Sequence, residues 1–270
     1  MNYYATVDDV KSVMNVTSTA LDGRIFTHLE TASRAIDAYC GSVFYTETAT
    51  RYFNGRCGAW LYVDDFLNVS EIVTDSELDN TFDGETWVDG TDFVVFPDNS
   101  YPKIGLYALP SGNYAWRPIA RNVKITGTWG YGCGKTGTPW TATTITATVA
   151  DDSGTTLALS ADDVVQVGHT LLVEDEQCFV TAISTGTATV ERGVNGTTAA
   201  AHTAAVVSTA IYPAMITRVA ATLAIGIMAR ADKGAMKTER IGDYSYTLQS
   251  ESEESVYMGR ALLGFVRLIP

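Results

Sequence analysis

The chain has 270 residues, of which 46% are hydrophobic and 18% are charged, a composition ordinary for a folded protein of one or two domains. Lys and Arg number 18 against 31 Asp and Glu, so the formal net charge is -13. Such a charge argues against binding the phosphates of nucleic acid or lying on an anionic membrane.

Two helices are predicted in the first part of the chain. Thr6 can cap a short helix over residues 6–14, and Asp9 stands three residues later, close to the arrangement of a capping box. From Ala20 to Cys40 apolar residues recur every three or four positions, which predicts a longer amphipathic helix. Gly41 follows where a left-handed glycine commonly ends a helix.

The segment from residue 45 to residue 132 is predicted to be rich in β-structure. Short runs of β-branched and aromatic residues alternate with turn pairs such as Asn54-Gly55 and Asp83-Gly84, which are typical of hairpins. The predicted strands are Ala59–Val63, Val69–Thr74, Phe93–Phe96, Ile104–Ala108 and Asn122–Trp129.

The glycine-rich stretch Gly130–Thr136 superficially suggests a phosphate-binding loop. Trp129 stands where that motif needs its first glycine, and β-like sequence follows where the motif needs a helix. We therefore interpret the stretch as a turn that ends a strand.

Residues 138–210 differ in composition from the rest of the chain. They are rich in Thr, and Arg192 is their single basic residue. Alternating runs predict a small all-β domain of at least five strands. These strands are Ile145–Val149, Thr155–Leu159, Thr170–Val173, Cys178–Ile183 and Thr187–Glu191.

Helical patterns return after residue 210. Pro213 suits the first position of a helix whose apolar stripe continues to about Ala231. A short strand-like piece, Tyr244–Leu248, follows, and a last helix is predicted from Glu251 to about Val266.

The residue types that carry enzyme chemistry are sparse and scattered. The four cysteines form no CxxC pair, and His28, His169 and His202 lack metal-ligand spacing. No GxSxG motif occurs, and adjacent carboxylates in strands point to opposite faces. We therefore expect no metal, no cofactor and no enzymatic activity, with free thiols in a cytosolic compartment. No apolar stretch long enough to span a membrane is predicted.

Three sets of residues, in this order, carry a family resemblance. Thr6–Lys11 is followed by Ala32–Gly41, the strand Asn122–Gly132 ends in Trp-Gly-Tyr-Gly, and Pro213–Arg230 is followed by Ile241–Tyr246. Together they resemble the head–tail adaptor proteins, also called connector or head-completion proteins, of tailed double-stranded DNA bacteriophages.

The resemblance implies a fold class and a domain organisation. In the family the helix follows the glycine turn closely, whereas residues 138–210 intervene here. It therefore implies an α+β fold in which 1–137 and 211–270 form a helical core with β-hairpins. Residues 138–210 would be a small all-β domain inserted at a loop, where insertions are tolerated. Within it, Val190–His202 is similar to a β-rich module that recurs in phage structural proteins.

The resemblance also implies a structural role in the virion. Family members form a ring, usually of twelve copies, beneath the portal protein in the neck of the particle, after assembly in the host cytoplasm. The ring joins the filled head to the tail and offers a platform for the next neck or tail protein, a stopper or tail terminator. It extends the channel, and genomic DNA passes through without specific binding. Acidic walls fit that role, because each basic contact would add affinity for phosphate.

The C-terminal segment of family members reaches the portal, which corresponds here to about Ser250–Pro270. The candidate portal contacts are the apolar residues Leu262, Leu263, Phe265, Val266, Leu268 and Ile269. The alternative for these residues is an ordinary place in the core of their own chain.

A second function class remains open. The Thr-rich β-domain could recognise another virion protein or a surface glycan, and its two aromatic residues, Trp140 and Phe179, would then matter.

Overall fold

The computed structural model divides the chain into two compact units. Unit 1 comprises Met1–Gly41, Trp140–Val194 and Thr198–Arg267, and unit 2 comprises Ser42–Pro139, Asn195–Thr197 and Leu268–Pro270. The described residues are 2–75, 77, 79, 81–84, 86–110, 116–233, 238–241, 244–247 and 251–267.

The described helices all belong to unit 1. They are α1 (Val7–Met14), α2 (Asp22–Cys40), α3 (Ala214–Lys233) and α4 (Glu251–Leu262), and a 3₁₀ turn over Leu263–Phe265 follows α4.

Local sequence signals explain where the first two helices begin and end. Thr6 Oγ1 accepts a hydrogen bond from the Asp9 N–H at 3.0 Å, and the Thr6 N–H donates to Asp9 Oδ2 at 2.7 Å, so the expected capping box is confirmed. Gly41 adopts a φ of 65° and donates its N–H to the Asp37 carbonyl at 2.8 Å. The predicted left-handed end of α2 is confirmed.

Unit 2 is built on a five-stranded antiparallel sheet with the order β1-β5-β2-β4-β3. Its strands are β1 (Glu47–Phe53), β2 (Trp60–Thr74), β3 (Phe93–Phe96), β4 (Lys103–Ala108) and β5 (Val123–Trp129). The predicted strands Ala59–Val63 and Val69–Thr74 are parts of the single strand β2, whose pairing register shifts where it passes from β4 to β5.

Large aromatic side chains fill the core of unit 2. The indoles of Trp87 and Trp116 stack with centroids 4.2 Å apart, and both side chains are buried. Trp129 is also buried and donates its Nε1–H to the Ala49 carbonyl at 2.8 Å. The buried indoles therefore contribute apolar area to the core, and the hydrogen bond satisfies the polar nitrogen of Trp129.

Unit 1 contains a closed six-stranded barrel with the order β10-β7-β6-β11-β8-β9. Its strands are β6 (Trp140–Val149), β7 (Thr156–Leu159), β8 (Thr170–Val173), β9 (Glu176–Ser184), β10 (Thr187–Glu191) and β11 (His202–Ala210). The five strands predicted in residues 138–210 are confirmed, and β11 is additional. Closure pairs both edges of the sheet, and inward-facing side chains such as Leu157, Leu171, Val180 and Val207 fill the interior. A separate two-stranded ribbon pairs β12 (Thr238–Ile241) with β13 (Tyr244–Thr247).

Within unit 1, the N-terminal segment contacts both the helices and the barrel. The Tyr3 ring meets Phe26 of α2 and Phe179 of β9 edge-on, with centroids 4.8 and 4.9 Å away. The Val7 N–H donates to the Val167 carbonyl at 3.3 Å. The barrel therefore shares a compact unit with the helices. The expected division was a different one, in which 1–137 and 211–270 formed one domain and 138–210 formed the other.

The expected α+β fold with a helical core is wrong. The described chain is mostly β-structure, with one sheet in unit 2 and a closed barrel in unit 1. Within the described residues, one hydrophobic cluster includes Ile125 and Trp129 and another includes Val180 and Val207, and both consist chiefly of strand residues. The sequence-based expectation failed because the helix periodicities were strong locally, while the extent of strand pairing depends on contacts distant in sequence.

One described helix, over Ala214–Ala231 in α3, is long and apolar enough to cross a membrane by length and composition alone. Core helices of other folds have the same character, and 39% of this stretch is buried within the chain.

Candidate functional site

A cluster of charged side chains is buried in the barrel of unit 1. The side chains of Glu176, Arg192 and His202 are 1%, 6% and 2% exposed, respectively. Arg192 donates from Nε to Glu176 Oε1 at 2.6 Å and from Nη2 to Glu176 Oε2 at 2.7 Å. This two-pronged geometry is the strongest form of an arginine–carboxylate pair. The pair ties strand β9 to the loop that follows β10.

The Glu176 carboxylate receives every hydrogen bond that its oxygens can readily accept. The Gly193 N–H donates to Oε1 at 2.9 Å, and the Ala200 N–H donates to Oε2 at 3.0 Å. Burial alone would raise the pKa of Glu176, but the hydrogen bonds from Arg192, His202 and the two backbone groups lower it to about 2. Glu176 is therefore an ionised structural anchor, and it is not poised to move a proton near neutral pH.

His202 lies between two carboxylates. Its Nε2 is 2.8 Å from Glu176 Oε2, and its Nδ1 is 2.7 Å from Glu174 Oε2. Because a carboxylate oxygen can only accept, a ring nitrogen of His202 bonds to either carboxylate by donating its N–H. The ring thereby lies between the buried Glu176 and Glu174, whose side chain is 63% exposed.

The buried cluster also organises the adjacent loops. Arg192 donates from Nη1 to the Gly154 carbonyl at 2.8 Å and from Nη2 to the Ala200 carbonyl. From the sequence, His202 has no metal-ligand spacing, and Glu176 was not identified as its partner. A signal for a buried partner was nevertheless present, because Arg192 is the only basic residue of the acidic segment 138–210. A lone buried cation needs a buried anion.

A second buried carboxyl group lies in α2, within the Ala32–Gly41 motif. The Tyr4 hydroxyl donates to Asp37 Oδ1, and Arg34 Nε lies 3.0 Å from Asp37 Oδ2. Burial raises the pKa of Asp37 to about 6, although the hydrogen bond from Tyr4 and the charge of Arg34 act in the opposite direction. Arg34 also donates from Nη2 to the Asn2 carbonyl at 3.0 Å, so this group holds the N-terminal segment against α2.

Among the described residues, no group of three or more His, Cys, Asp or Glu side chains has a geometry suited to a metal ion. The three histidines lie in different elements: His28 in α2, His202 at the start of β11, and His169 just before β8. His169 accepts a hydrogen bond at Nδ1 from the Gln166 N–H at 3.1 Å, and burial lowers the pKa of its imidazole. These contacts hold local backbone, which is a structural use of the ring.

The glycine-rich stretch after β5 forms a tight turn in unit 2. Gly130 has a φ of 125°, and a Cβ at this position would lie 2.0 Å from the Tyr45 carbonyl oxygen. Gly132 and Gly134 also have positive φ values, of 64° and 71°. The next element along the chain is strand β6, so no helix N-terminus follows to cradle a phosphate.

The candidate portal contacts fall into four groups. Leu262 is fully buried in unit 1, as the alternative of a core role expects, whereas Leu263 is 73% exposed. Phe265 and Val266 are half-buried, next to Arg267, whose N–H donates to the Cys40 carbonyl at 2.8 Å. Leu268 and Ile269 lie outside the described residues. Leu263 is therefore the described candidate that is best placed to contact a partner.

A cavity of about 400 Å³ lies between α3 and α4 in unit 1. Apolar and small side chains form most of its wall, and Thr222 and Tyr257 bring hydroxyl groups to it. Among the side chains that the structure describes, the charged lining residues are Arg218 and Arg230, both from α3. A cavity of this size and character can hold an apolar group that carries, or lies near, a negative charge.

No protein-family model matches this sequence, and a search of curated proteins finds no significant match.

Proposed function

We propose that the chain is a structural protein of the neck of a tailed bacteriophage, where copies form a ring beneath the portal and join the DNA-filled head to the tail. The observation that carries the proposal is the ordered set of motifs that resembles head–tail adaptors. Ala32–Gly41 is the final part of α2, Asn122–Gly132 is β5 with its glycine turn, and Pro213–Arg230 begins α3.

Two of these motifs also have local geometry that only a few residue types allow. Gly41 ends α2 in the left-handed region, and Gly130 lies against the Tyr45 carbonyl, where no Cβ fits. The resemblance therefore rests on residues whose identity has a structural cause in this chain. The proposal does not include the helical core, because that expectation is wrong for this chain.

The chemistry of the described residues favours a structural role. The buried carboxyl group of Glu176 is held by internal partners, and that of Asp37 is bonded to its own chain. A net charge of -13 suits a protein that lets DNA pass, because phosphates are repelled by acidic walls. Neither observation calls for a reaction centre, and both are compatible with a channel component.

Leu263 gives the proposal a specific contact. It follows α4 and is 73% exposed, so its apolar side chain is accessible to a partner. Under the proposal this residue inserts into a pocket on the portal, together with the half-buried Phe265 and Val266.

The test is direct binding to the portal protein encoded in the same genome. Purified chain and portal rings are mixed, and the mass of the complex is measured by light scattering after size-exclusion chromatography. We expect a ring-sized complex with the wild type and at least about tenfold weaker binding with Leu263→Glu. Val164→Glu, which changes an exposed valine (42%) on the barrel unit, is the matched control and should bind as the wild type does. Failure of the wild type to bind the portal would overturn the proposal.

The alternative, recognition of a glycan or another surface protein through residues 138–210, receives no supporting observation. Of the two aromatic residues in that segment, Phe179 is fully buried and Trp140 is half-buried. A sugar-binding surface needs exposed rings. Binding of the full chain to a glycan array, together with a failure to bind the portal, would favour this alternative.

A further inference from the structure

We propose that an aromatic patch on the solvent face of the unit 2 sheet binds a proline-rich segment of another protein. The patch consists of Trp60, Tyr62, Phe96 and Tyr107, which belong to the neighbouring strands β2, β3 and β4. This contact differs from the proposed contact with the portal, which involves Leu263 of unit 1.

The pairing register places the four rings on one face of the sheet. Trp60 is opposite Tyr107, and Gly105 has Tyr62 on one side and Phe96 on the other. Residues that are directly opposite each other share a face, and successive residues of a strand alternate between faces. The alternate positions of these strands carry residues of the unit 2 core. The rings therefore point away from that core.

The rings contact one another but remain accessible to solvent. The Trp60 centroid lies 4.7 Å from that of Phe96 and 5.0 Å from that of Tyr107. The planes of Trp60 and Tyr62 are parallel to within 9°, with centroids 5.9 Å apart, and both residues are 39% exposed. Rigid rings that already pack together offer a large contact area at a low cost in conformational entropy.

The spacing of the rings matches the repeat of a polyproline II helix. Neighbouring strands lie about 4.8 Å apart, so the backbones of Tyr62 in β2 and Phe96 in β3 are separated by about 9.6 Å across Gly105. One turn of a polyproline II helix contains three residues and rises about 9.3 Å. Two residues that are three positions apart in such a helix can therefore each contact one ring.

The polar atoms of the patch suit the backbone of a proline-rich segment. Trp60 Nε1 can only donate a hydrogen bond, and the hydroxyl groups of Tyr62 and Tyr107 can also donate. A polyproline II helix has carbonyl oxygens without internal partners, and proline has no N–H. Such a segment therefore offers acceptors to a surface that offers donors. A sugar would also need acceptors between the rings, where Gly105 is paired with both neighbouring strands.

Charge restricts the occupant further. Asp98 is exposed two positions after Phe96, and the net charge of the chain is -13, so a basic residue beside the prolines is favoured. Lys103 is buried, and its Nζ donates to the carbonyl oxygens of Pro97 and Asp98, which leaves the Asp98 carboxylate at the surface. The acidic chain disfavours single-stranded nucleic acid, whose bases could stack on the rings but whose phosphates would be repelled.

The proline-rich segment has to belong to a different protein. The chain contains seven prolines, and none of them is followed by another proline three positions later. A second copy of this chain therefore lacks a segment with the required repeat. Docking of proline-rich segments on aromatic surfaces is a recurring mode of recognition, because the extended helix is formed before binding.

Binding is tested by fluorescence anisotropy with the full chain and a labelled oligoproline peptide that carries an arginine at each end. We expect saturable binding in the micromolar range, and at least about tenfold weaker binding of the same peptide with alanine in place of proline. All five tryptophans lie in the described residues, and only Trp60 is exposed. The bound peptide should therefore also protect the chain from fluorescence quenching by acrylamide.

Three variants locate the binding surface. Trp60→Ala should weaken binding of the peptide by at least about tenfold. Asp98→Asn leaves the four rings in place and should weaken binding by about threefold, but only for the peptide that carries arginine. Tyr52→Ala changes another exposed aromatic residue of unit 2, on β1 outside the patch, and is the matched control that should bind as the wild type does. Circular dichroism establishes that each variant is folded.

Three outcomes would overturn the inference. The first is a wild-type chain that does not bind the oligoproline peptide. The second is equal binding by the wild type and by both Trp60→Ala and Asp98→Asn in their folded forms. The third is binding of a neutral oligosaccharide or of oligothymidylate that depends on Trp60 and is tighter than that of the peptide. The portal-binding experiment decides the proposed function separately, because it measures the contact at Leu263.

Discussion

Replacing Glu176 by Gln is expected to destabilise the barrel strongly at neutral pH and much less in acid. The pKa of Glu176 falls from 4.5 in the unfolded chain to about 2 in the fold, a difference that corresponds to about 3 kcal/mol of stability at pH 7. The substitution also places an amide N–H₂ group against buried donors and leaves Arg192 and His202 without their shared anion. We therefore expect a total loss of about 3 to 5 kcal/mol.

The direction of the pH dependence follows from the lowered pKa. The stabilisation by Glu176 is fully present above the unfolded value of 4.5 and is lost as the pH falls towards about 2. The difference between wild type and Glu176→Gln should therefore shrink by about 2 kcal/mol, to about 1 to 3 kcal/mol, near pH 3.

Hydrogen exchange measured by mass spectrometry is the appropriate assay, because the chain has two units and a single unfolding transition would mix them. Peptides from β9 and β11 report on the barrel. Glu174→Gln is the control: this side chain also contacts His202 but is 63% exposed, so we expect a loss below about 1 kcal/mol. Equal losses of stability for the two substitutions would contradict this role of Glu176, and so would an equal loss with Glu176→Gln at pH 7 and at pH 3.

Three further predictions concern single residues. Burial raises the pKa of Asp37 from 3.8 to about 6, so the stabilisation that its protonated form gives below pH 3.8 is lost as the pH rises through 6. The loss of unfolding free energy is of the order of 3 kcal/mol, and Asp37→Asn should abolish this pH dependence in thermal unfolding. Gly130→Ala should lower the free energy of unfolding in urea by roughly 3 kcal/mol or more, because the new Cβ would meet a backbone oxygen. Gly23→Ala in α2 meets open space and should raise the free energy of unfolding by about 0.5 to 1 kcal/mol. In thiol labelling of the native protein, the exposed Cys57 should react quickly, and the buried Cys178, whose pKa burial raises to about 12, should stay protected; equal rates would contradict this.

Local interactions made part of the fold predictable. A helix start needs only a capping side chain and a partner three residues away, as Thr6 and Asp9 provide, and a helix end needs only a residue such as Gly41 that tolerates positive φ. The continuous apolar run of β3 and the alternating pattern of β5 likewise predicted these strands to within one residue. Each of these signals lies within a few neighbouring positions.

Strands that depend on distant partners were missed. β1 lacks strong apolar alternation and is held by continuous pairing with β5, from Glu47 opposite Trp129 to Phe53 opposite Val123. β11 is rich in Ala and Thr, and it forms because β6 and β8 bond to its two edges. Such strands gain their stability from neighbours rather than from their own propensity. Overlooking them led to the incorrect expectation of a helical core.

The acidic charge, the positions of the main helices and most strands, and the glycine turn after β5 all follow from local sequence patterns. The closure of strands β6 to β11 into a barrel that shares a unit with the helices, and the meeting of Glu176, Arg192 and His202, do not follow from such patterns and depend on the tertiary fold. The physical reason is the range of the forces involved. Capping and periodicity act over one turn or one strand, whereas barrel closure and charge burial require segments far apart in the chain to be brought together, and their free energy appears only when all the partners are in place.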